Sequence, residues 1–286
     1  MKSKVYFSKN ITADEIVKMY EKLGVTLKGN VAVKVHSGEA GNQNFLGPDL
    51  YKKVIEKVDG TVVECNTAYA GKRNTTEEHL QTMKEHGWTE NFRVDIMDAD
   101  GEIELPIPDG VQIKTNYVGK NIEKYDSMLV LSHFKGHPMG GFGGALKNIS
   151  IGIASSHGKA YIHGAGDASK IWTADGDAFK EAMADADKSI MDYFKENIVF
   201  INVMANMSVD CDCCAVAEDP CMKDIGVLAS LDPVALDKAC LDLVYASKDA
   251  GRDHLIERIE SRNGAHIIEA AEKLGVGSIE YELIEI

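Results

Sequence analysis

The sequence predicts an α/β fold, with an open, mainly parallel or mixed sheet and helices on both faces. Three observations predict it. Apolar strands at Val31-Ala-Val-Lys-Val35 and Thr61-Val-Val-Glu-Cys65 are each followed by a polar turn and then a helix, which is the rhythm of βα units rather than hairpins. The strand at Ile198-Val-Phe-Ile-Asn-Val203 is nearly continuous in apolar residues, as strands covered on both faces are. No internal repeat, low-complexity segment or linker interrupts the 286 residues, so a single domain over residues 1–286 is expected.

In chain order, Lys4 to Phe7 reads as a strand. Thr12 and Glu15 form a capping box that opens a helix to Gly24, with Ile16, Val17, Tyr20 and Leu23 as its apolar face. A helix enters at Gly47-Pro48-Asp49 and runs to about Val58; another spans Thr75 to Gly87. From Phe92 to Tyr117 the pieces Val94 to Met97, Glu102 to Leu105 and Val111 to Lys114, separated by Pro106 and Pro108, predict an antiparallel excursion at an edge. Asp98, Asp100 and Gly101 make a turn that lacks the later ligands of a calcium loop. Asp126 to Ser132 is a strand, and a helix from near Gly143 turns Ala145, Leu146, Ile149 and Ile153 inward. Asp175 to about Asn197 is helical. Pro233 opens a helix whose core side carries Ala235, Leu236, Ala239, Cys240, Leu243 and Val244. Helices near His254 to Arg262 and Ala265 to Leu274 precede a closing strand, Ile279 to Ile286.

Composition excludes several functions. Acidic residues outnumber basic ones, 45 to 31, for a formal charge of -14, against the basic footprint that nucleic acid or an anionic membrane surface requires. No apolar run reaches the roughly 18 residues of a membrane span, and the N-terminus lacks a signal-peptide core. A cytoplasmic location is expected.

The chemistry concentrates in Ser132 to Asn148 and its continuation to Gly166. Nine of 26 glycines and four of nine histidines lie between His133 and Gly166, a density that suits close approach of a ligand rather than a core. His133, His137, Lys147, His157 and His163 are the candidates for catalysis. Lys135, with Gly143 and Gly144 at the start of the following helix, is placed to hold an anion on first-turn amides. In open parallel sheets ligands collect beyond the carboxyl ends of the strands. Lys34, His36, Glu39, Asn42, Asn66, Tyr69 and Arg73 should therefore face one crevice and contact substrate. A second cluster, Cys211, Cys213, Cys214 and Cys221, falls within eleven residues; thiolates so close on an irregular loop can wrap a soft metal or an iron–sulfur cluster. The C-x-C-C-x6-C spacing is neither a ferredoxin nor a zinc-ribbon pattern.

Several segments, in one order, resemble the DUF362 family of uncharacterised Fe–S center proteins. They are Val31 to Asn42, Asn66 to Arg73, Leu131 to His137, Gly141 to Asn148, Cys211-Asp-Cys213 and Asp224 to Asp237. The resemblance implies an α/β domain and an iron–sulfur centre; the cysteine loop by itself leaves zinc or nickel open as well. Many relatives carry ferredoxin-type cysteine repeats before the acidic helix; here Gly164 to Asp175 holds no cysteine, so no separate ferredoxin domain is expected. A shorter pattern, His133, Gly141-Phe-Gly-Gly144, Lys147, then His157 and His163, is similar to the lactate racemase group. That likeness implies a nickel-pincer nucleotide on Lys147, with His133, His157 or His163 as ligand or proton carrier. The expectation is a metal-dependent cytosolic enzyme acting on a small anionic metabolite by redox or acid–base chemistry. The competing class is a non-catalytic metal-binding or delivery protein. A redox partner protein and homo-oligomerisation are compatible with both.

Overall fold

A computed structural model describes residues 2–286. The elements are β1 (Ser3–Ser8), α1 (Ala13–Lys22), β2 (Val31–Lys34), α2 (Pro48–Lys57), β3 (Thr61–Glu64), α3 (Thr76–Glu85), α4 (Trp88–Asn91), β4 (Val94–Ile96), β5 (Glu102–Pro106) and β6 (Thr115–Gly119). There follow β7 (Ser127–His133), β8 (Lys135–His137), β9 (Gly141–Gly143), α5 (Ala145–Ser150), α6 (Ser156–His163) and α7 (Gly176–Phe194). The chain closes with β10 (Ile198–Met204), β11 (Gly226–Ser230), α8 (Pro233–Ala246), α9 (Arg252–Ser261), α10 (His266–Lys273) and β12 (Tyr281–Glu285).

One eight-stranded sheet, ordered β12-β1-β11-β10-β7-β2-β3-β4, organises them. β11 runs antiparallel to both its neighbours, and every other pairing in the sheet is parallel. The sheet is thus mainly parallel with one reversed strand. Successive side chains of β7 point to opposite faces. Met128 and Val130 join a core with α5, α7, α8 and α10, whereas Leu129 and Leu131 join another with α1 and α2. Fully burying each such side chain contributes about 1.5–3 kcal/mol.

Local chemistry explains the helix starts. Thr12 accepts the Glu15 amide, Asp175 those of Asp177 and Ala178, and Asp232 those of Val234 and Ala235, each satisfying donors that a helix start leaves open.

The expected edge excursion needs correction. β4 pairs parallel with β3 inside the main sheet, and only β5 and β6 form an antiparallel pair. Val111 to Lys114 is not a strand, because the amides of Val111, Gln112 and Ile113 donate to the Asp185 carboxylate of α7 at 2.7, 2.6 and 2.8 Å. β11 and α6 are elements that the sequence pattern did not disclose. The glycine-rich stretch opens as a small hairpin, β8 with β9. There Gly136 is needed for close approach: a Cβ would lie 2.3 Å from the Val209 carbonyl oxygen, and its amide donates to Ser208 at 2.8 Å. This contact seats the hairpin against the start of the cysteine loop. No described helix is long and apolar enough to cross a membrane.

Candidate metal and anion site

β2, β3 and β7 run parallel and end on the same edge, so the turns that leave them meet over one cavity of about 260 Å³. His36 after β2, Tyr69 and Arg73 after β3, and His133 at the end of β7 all line it. The β8–β9 hairpin and α5 close another side with Lys135, His137, Gly143, Gly144 and Lys147; the cysteine loop adds Cys213 and Cys214.

The cysteine loop is held by its neighbours. The Cys214 amide donates to the Cys211 carbonyl at 2.9 Å, closing a turn. Asn42 Nδ2 donates to the Cys214 carbonyl at 2.8 Å, so this residue supports the loop and does not reach into the cavity. Inside the turn, the Asp212 carboxylate lies 2.9 Å from both His133 Nδ1 and Lys135 Nζ. Burial pushes Asp212 up, but His133 and Lys135 outweigh it and hold the carboxyl well below the usual range. Burial likewise lowers Lys135, yet Asp212 reverses the sign and raises it.

His133 lines the cavity, but its acid–base role is not supported by its contacts. Nδ1 faces Asp212 and Nε2 donates to the Ala205 carbonyl at 2.6 Å, so neither nitrogen is left for a substrate. The ring anchors the loop instead.

This anchoring presents sulfur to imidazole. Donor atoms of His137, Cys211 and Cys213 lie within 4.8 Å of one another, in an arrangement that could hold a metal ion. The Gly140 amide donates to His137 Nδ1 at 2.9 Å, which fixes the ring; the neutral form then carries its proton on Nε2, and a metal ion would bind Nε2 in place of that proton. Lys147 Nζ is 3.9 Å from Cys211 Sγ. Cys221 is elsewhere: its thiol donates to the Met207 carbonyl at 3.2 Å. Two thiols and one imidazole converge, not four thiols. Hydrogen bonding within the triple and burial together raise the Cys211 thiol, whereas the Cys213 contact lowers Cys214.

On the other side of the cavity Glu64 is a hub. His79 Nε2 is 3.1 Å away, Lys34 Nζ and Arg73 Nη1 are each 3.8 Å away, and the Ser37 hydroxyl donates to it. Burial opposes its charge, but His79, Lys34 and Arg73 hold it well below the usual value. Lys34 is lowered to about 8, chiefly by burial, with Glu64 opposing and Lys159 and Arg73 assisting. Lys159 Nζ donates to the carbonyls of Ala154 at 2.6 Å and Cys65 at 3.3 Å; burial lowers it too. Gly152 allows this packing, since a Cβ there would sit 2.8 Å from Lys34 Nζ.

With the geometry in place, comparison with known proteins gives the lineage. Residues 31–242 match the DUF362 family, a domain of unknown function. The chain belongs to the DUF362 family. None of the curated proteins matches. Among solved structures, a Thermotoga maritima protein aligns over 91% of this chain and 58% of its own, at 13% identity and a TM-score of 0.47. This chain therefore spans 58% of that protein's length. The lactate racemase apoprotein from Thermoanaerobacterium thermosaccharolyticum aligns over 98% of this chain and 82% of its own, at 14% identity and a TM-score of 0.48.

For this DUF362 member several sequence-derived site residues lie off the cavity wall. Glu39 is buried beneath it and accepts from Arg73 Nε at 3.2 Å. Asn66 donates to Thr76 at 3.0 Å and faces His79, so it braces the turn after β3. His157 is half-exposed, 3.0 Å from Glu102 and against Tyr117, outside the cavity lining. The first-turn amides of α5 are not available to a ligand either. Those of Ala145 and Leu146 donate to the Asp237 carboxylate at 2.8 and 3.0 Å, an internal anion in the place assigned to substrate; burial pushes it up to about 6 against those bonds. His163 does line the cavity: Nδ1 donates to the Lys159 carbonyl at 2.7 Å, leaving Nε2 as the acceptor.

Glu64, Lys159, Asp212, Asn148 and Trp172 belong to the site and were not singled out from the sequence. Trp172 is exposed at the rim, its ring centroid 5.9 Å from that of Tyr69. A carboxylate ending an otherwise apolar strand was the available signal for Glu64.

The buried histidines set a pH dependence. Burial, reinforced by neighbouring cations, lowers His36 and His163 to about 4 and His137 well below the ordinary value. Unfolded histidines bind protons near pH 6.5, so their contribution to stability is complete above that pH and is lost as pH falls toward 4. Urea unfolding of chelator-treated protein should show stability lower at pH 5 than at pH 7 by on the order of 4 kcal/mol. A flat profile between those pH values would contradict the burial of three neutral imidazoles.

Proposed function

We propose that this chain is a cytoplasmic enzyme that holds one transition-metal ion on Cys211, Cys213 and His137 and acts on a small anionic metabolite beside it. The observation that carries this reading is one of position: the two thiols and the imidazole converge at the wall of a cavity lined by Lys34, Arg73, Lys135, Lys147 and Lys159. A chain of net charge -14 has gathered five cations around one small volume. Such a pocket focuses anions.

The donor set suits zinc, nickel or iron, for which thiolate and imidazole are favourable ligands. When bound, a metal with three protein ligands keeps an open position and supplies Lewis acidity there. The chain's own residues supply the rest: His163 Nε2 can take a proton, Lys147 can neutralise charge near the sulfurs, and Tyr69 and Trp172 border the entrance. An iron–sulfur cluster bound by four cysteines of this loop is less well supported, because Cys221 is committed to Met207. All six cysteines are free thiols, in keeping with a reducing compartment. A delivery role needs an exposed, labile loop, whereas Cys211 and His137 are both buried.

Anaerobic purification with metal analysis and an absorption spectrum tests the reading. About one metal per chain is expected, lost progressively on acidification because the thiols and the imidazole must shed protons to bind. Metal-free protein that takes up neither zinc, nickel nor iron would overturn it. Broad brown absorbance near roughly 400 nm would assign an iron–sulfur cluster instead, and an intact mass raised by a nucleotide, and restored to the unmodified value in Lys147→Arg, would place a covalent cofactor on Lys147.

A further inference from the structure

The cations around the cavity are not matched by carboxylates. Lys34 and Arg73 share Glu64, Arg73 also meets Glu39, and Lys135 meets Asp212. Lys147 and Lys159 have no carboxylate within ion-pair distance among the described residues. Five cations therefore face three carboxylates, an excess of two. Asp98, whose charge also acts on Lys159, accepts the amides of Asn66 and Ser156 and makes no ion pair with it. A divalent metal on two thiolates would add no net charge.

The donors are also unfilled. Arg73 is 3% exposed, yet its side chain makes one hydrogen bond, Nε to Glu39; its Nη1 is 3.8 Å from Glu64, beyond hydrogen-bond reach. Lys159, 6% exposed, uses two of its three N–H groups on carbonyls. Among the described residues, the partnerless side-chain atoms sealed inside protein are oxygens of Asn116, Asp187 and Asn202. The open Nη groups of Arg73 are not among them, and both Arg73 and Lys159 line the cavity. A guanidinium with both Nη groups open is shaped for an oxoanion.

From this we infer that the ligand of this cavity is a small dianionic oxoacid, clamped by the Arg73 Nη groups and the third N–H of Lys159. The ligand class rests on the function proposed above; the clamp does not depend on the metal. A tetrahedral dianion would bring both charges to the clamp. A dicarboxylate would set one carboxylate there and the other toward Lys147.

Calorimetry on the full chain at constant ionic strength, with sulfate, succinate and acetate as probes and with metal present or removed, decides it. At least one dianion should bind tenfold or more tighter than acetate, and sulfate against succinate tells the two geometries apart. Lys159→Gln should erase most of that preference, and Lys159→Arg should retain part of it. The preference persisting in metal-free protein, with no metal uptake under any condition, would sink the metal reading and leave the clamp standing. Equal affinity for acetate and both dianions, or no binding of any probe, would overturn the inference while leaving a metal-loaded cysteine site intact. Should Lys159→Gln not fold, the wild-type ranking of the probes and the Lys159→Arg result still decide.

Discussion

Replacing Cys211 and Cys213 together by serine should abolish metal retention while Cys221→Ser leaves it unchanged. Serine keeps the size of cysteine to within one atom, but its hydroxyl stays protonated at neutral pH and is a poor partner for a soft or borderline metal. The two sulfurs are two of the three donors that converge. Thiolate–imidazole sites with four ligands bind zinc with apparent free energies of about 10–16 kcal/mol, so each ligand accounts for a few kcal/mol. Removing two should weaken binding by on the order of 10⁴-fold or more. Cys221 is the internal control, because its thiol belongs to the Met207 carbonyl. His137→Ala should fall between, losing one ligand and the buried ring that Gly140 fixes. Metal content is measured after dialysis against a weak chelator. Equal content in wild type and the double variant would mean that the cysteine loop is structural.

Much of the frame was legible because it is written locally. The strand–turn–helix alternation at Val31 and Thr61 reports burial on both faces of a parallel sheet, and Thr12, Asp175 and Pro233 mark helix starts within a residue of where they occur. The glycine density from Gly136 onward was read as room for a ligand; at Gly136 and Gly152 what approaches closely is the protein itself, the Val209 backbone at one and Asn148 with Lys34 at the other. Partners distant in sequence were not legible. Nothing near Ala145 announces that Asp237, 92 residues later, takes the two amides a substrate was expected to use. Likewise Asn42 and Glu39 fit a polar substrate turn until the cysteine loop and Arg73 are seen to claim them. Lys159 was missed for another reason: α6 is short and weakly amphipathic, so its period does not declare a helix, and without the helix Lys159 has no direction.

Asp212→Ala should be the most destabilising single change in the site, by about 3–5 kcal/mol. The carboxylate is 1% exposed and lies 2.9 Å from both Lys135 and His133, which are each 4% exposed. Removing one member of a buried ionic cluster strands the others in a medium that cannot solvate them, and that penalty exceeds the loss of the attraction itself. In urea, with a slope of roughly 1–3 kcal/mol per molar, the midpoint should move by about 2 M. Asp212→Asn keeps an acceptor for both partners and should cost less. Lys135→Met placed on top of Asp212→Ala should recover part of the loss, since the stranded ammonium is then gone. The acid limb carries a second signature. A carboxyl held below its unfolded value stabilises fully above about pH 4 and loses that contribution as pH falls through the folded value; the alanine variant should lack this share of the acid sensitivity. Metal retention should weaken as well, because the turn that aligns Cys211 with Cys213 is tied to β7 and β8 through this side chain. A stability change under about 1 kcal/mol, with metal retained at the wild-type level, would show that the loop's other contacts, those of Glu39, Asn42 and Gly136 among them, hold it in place.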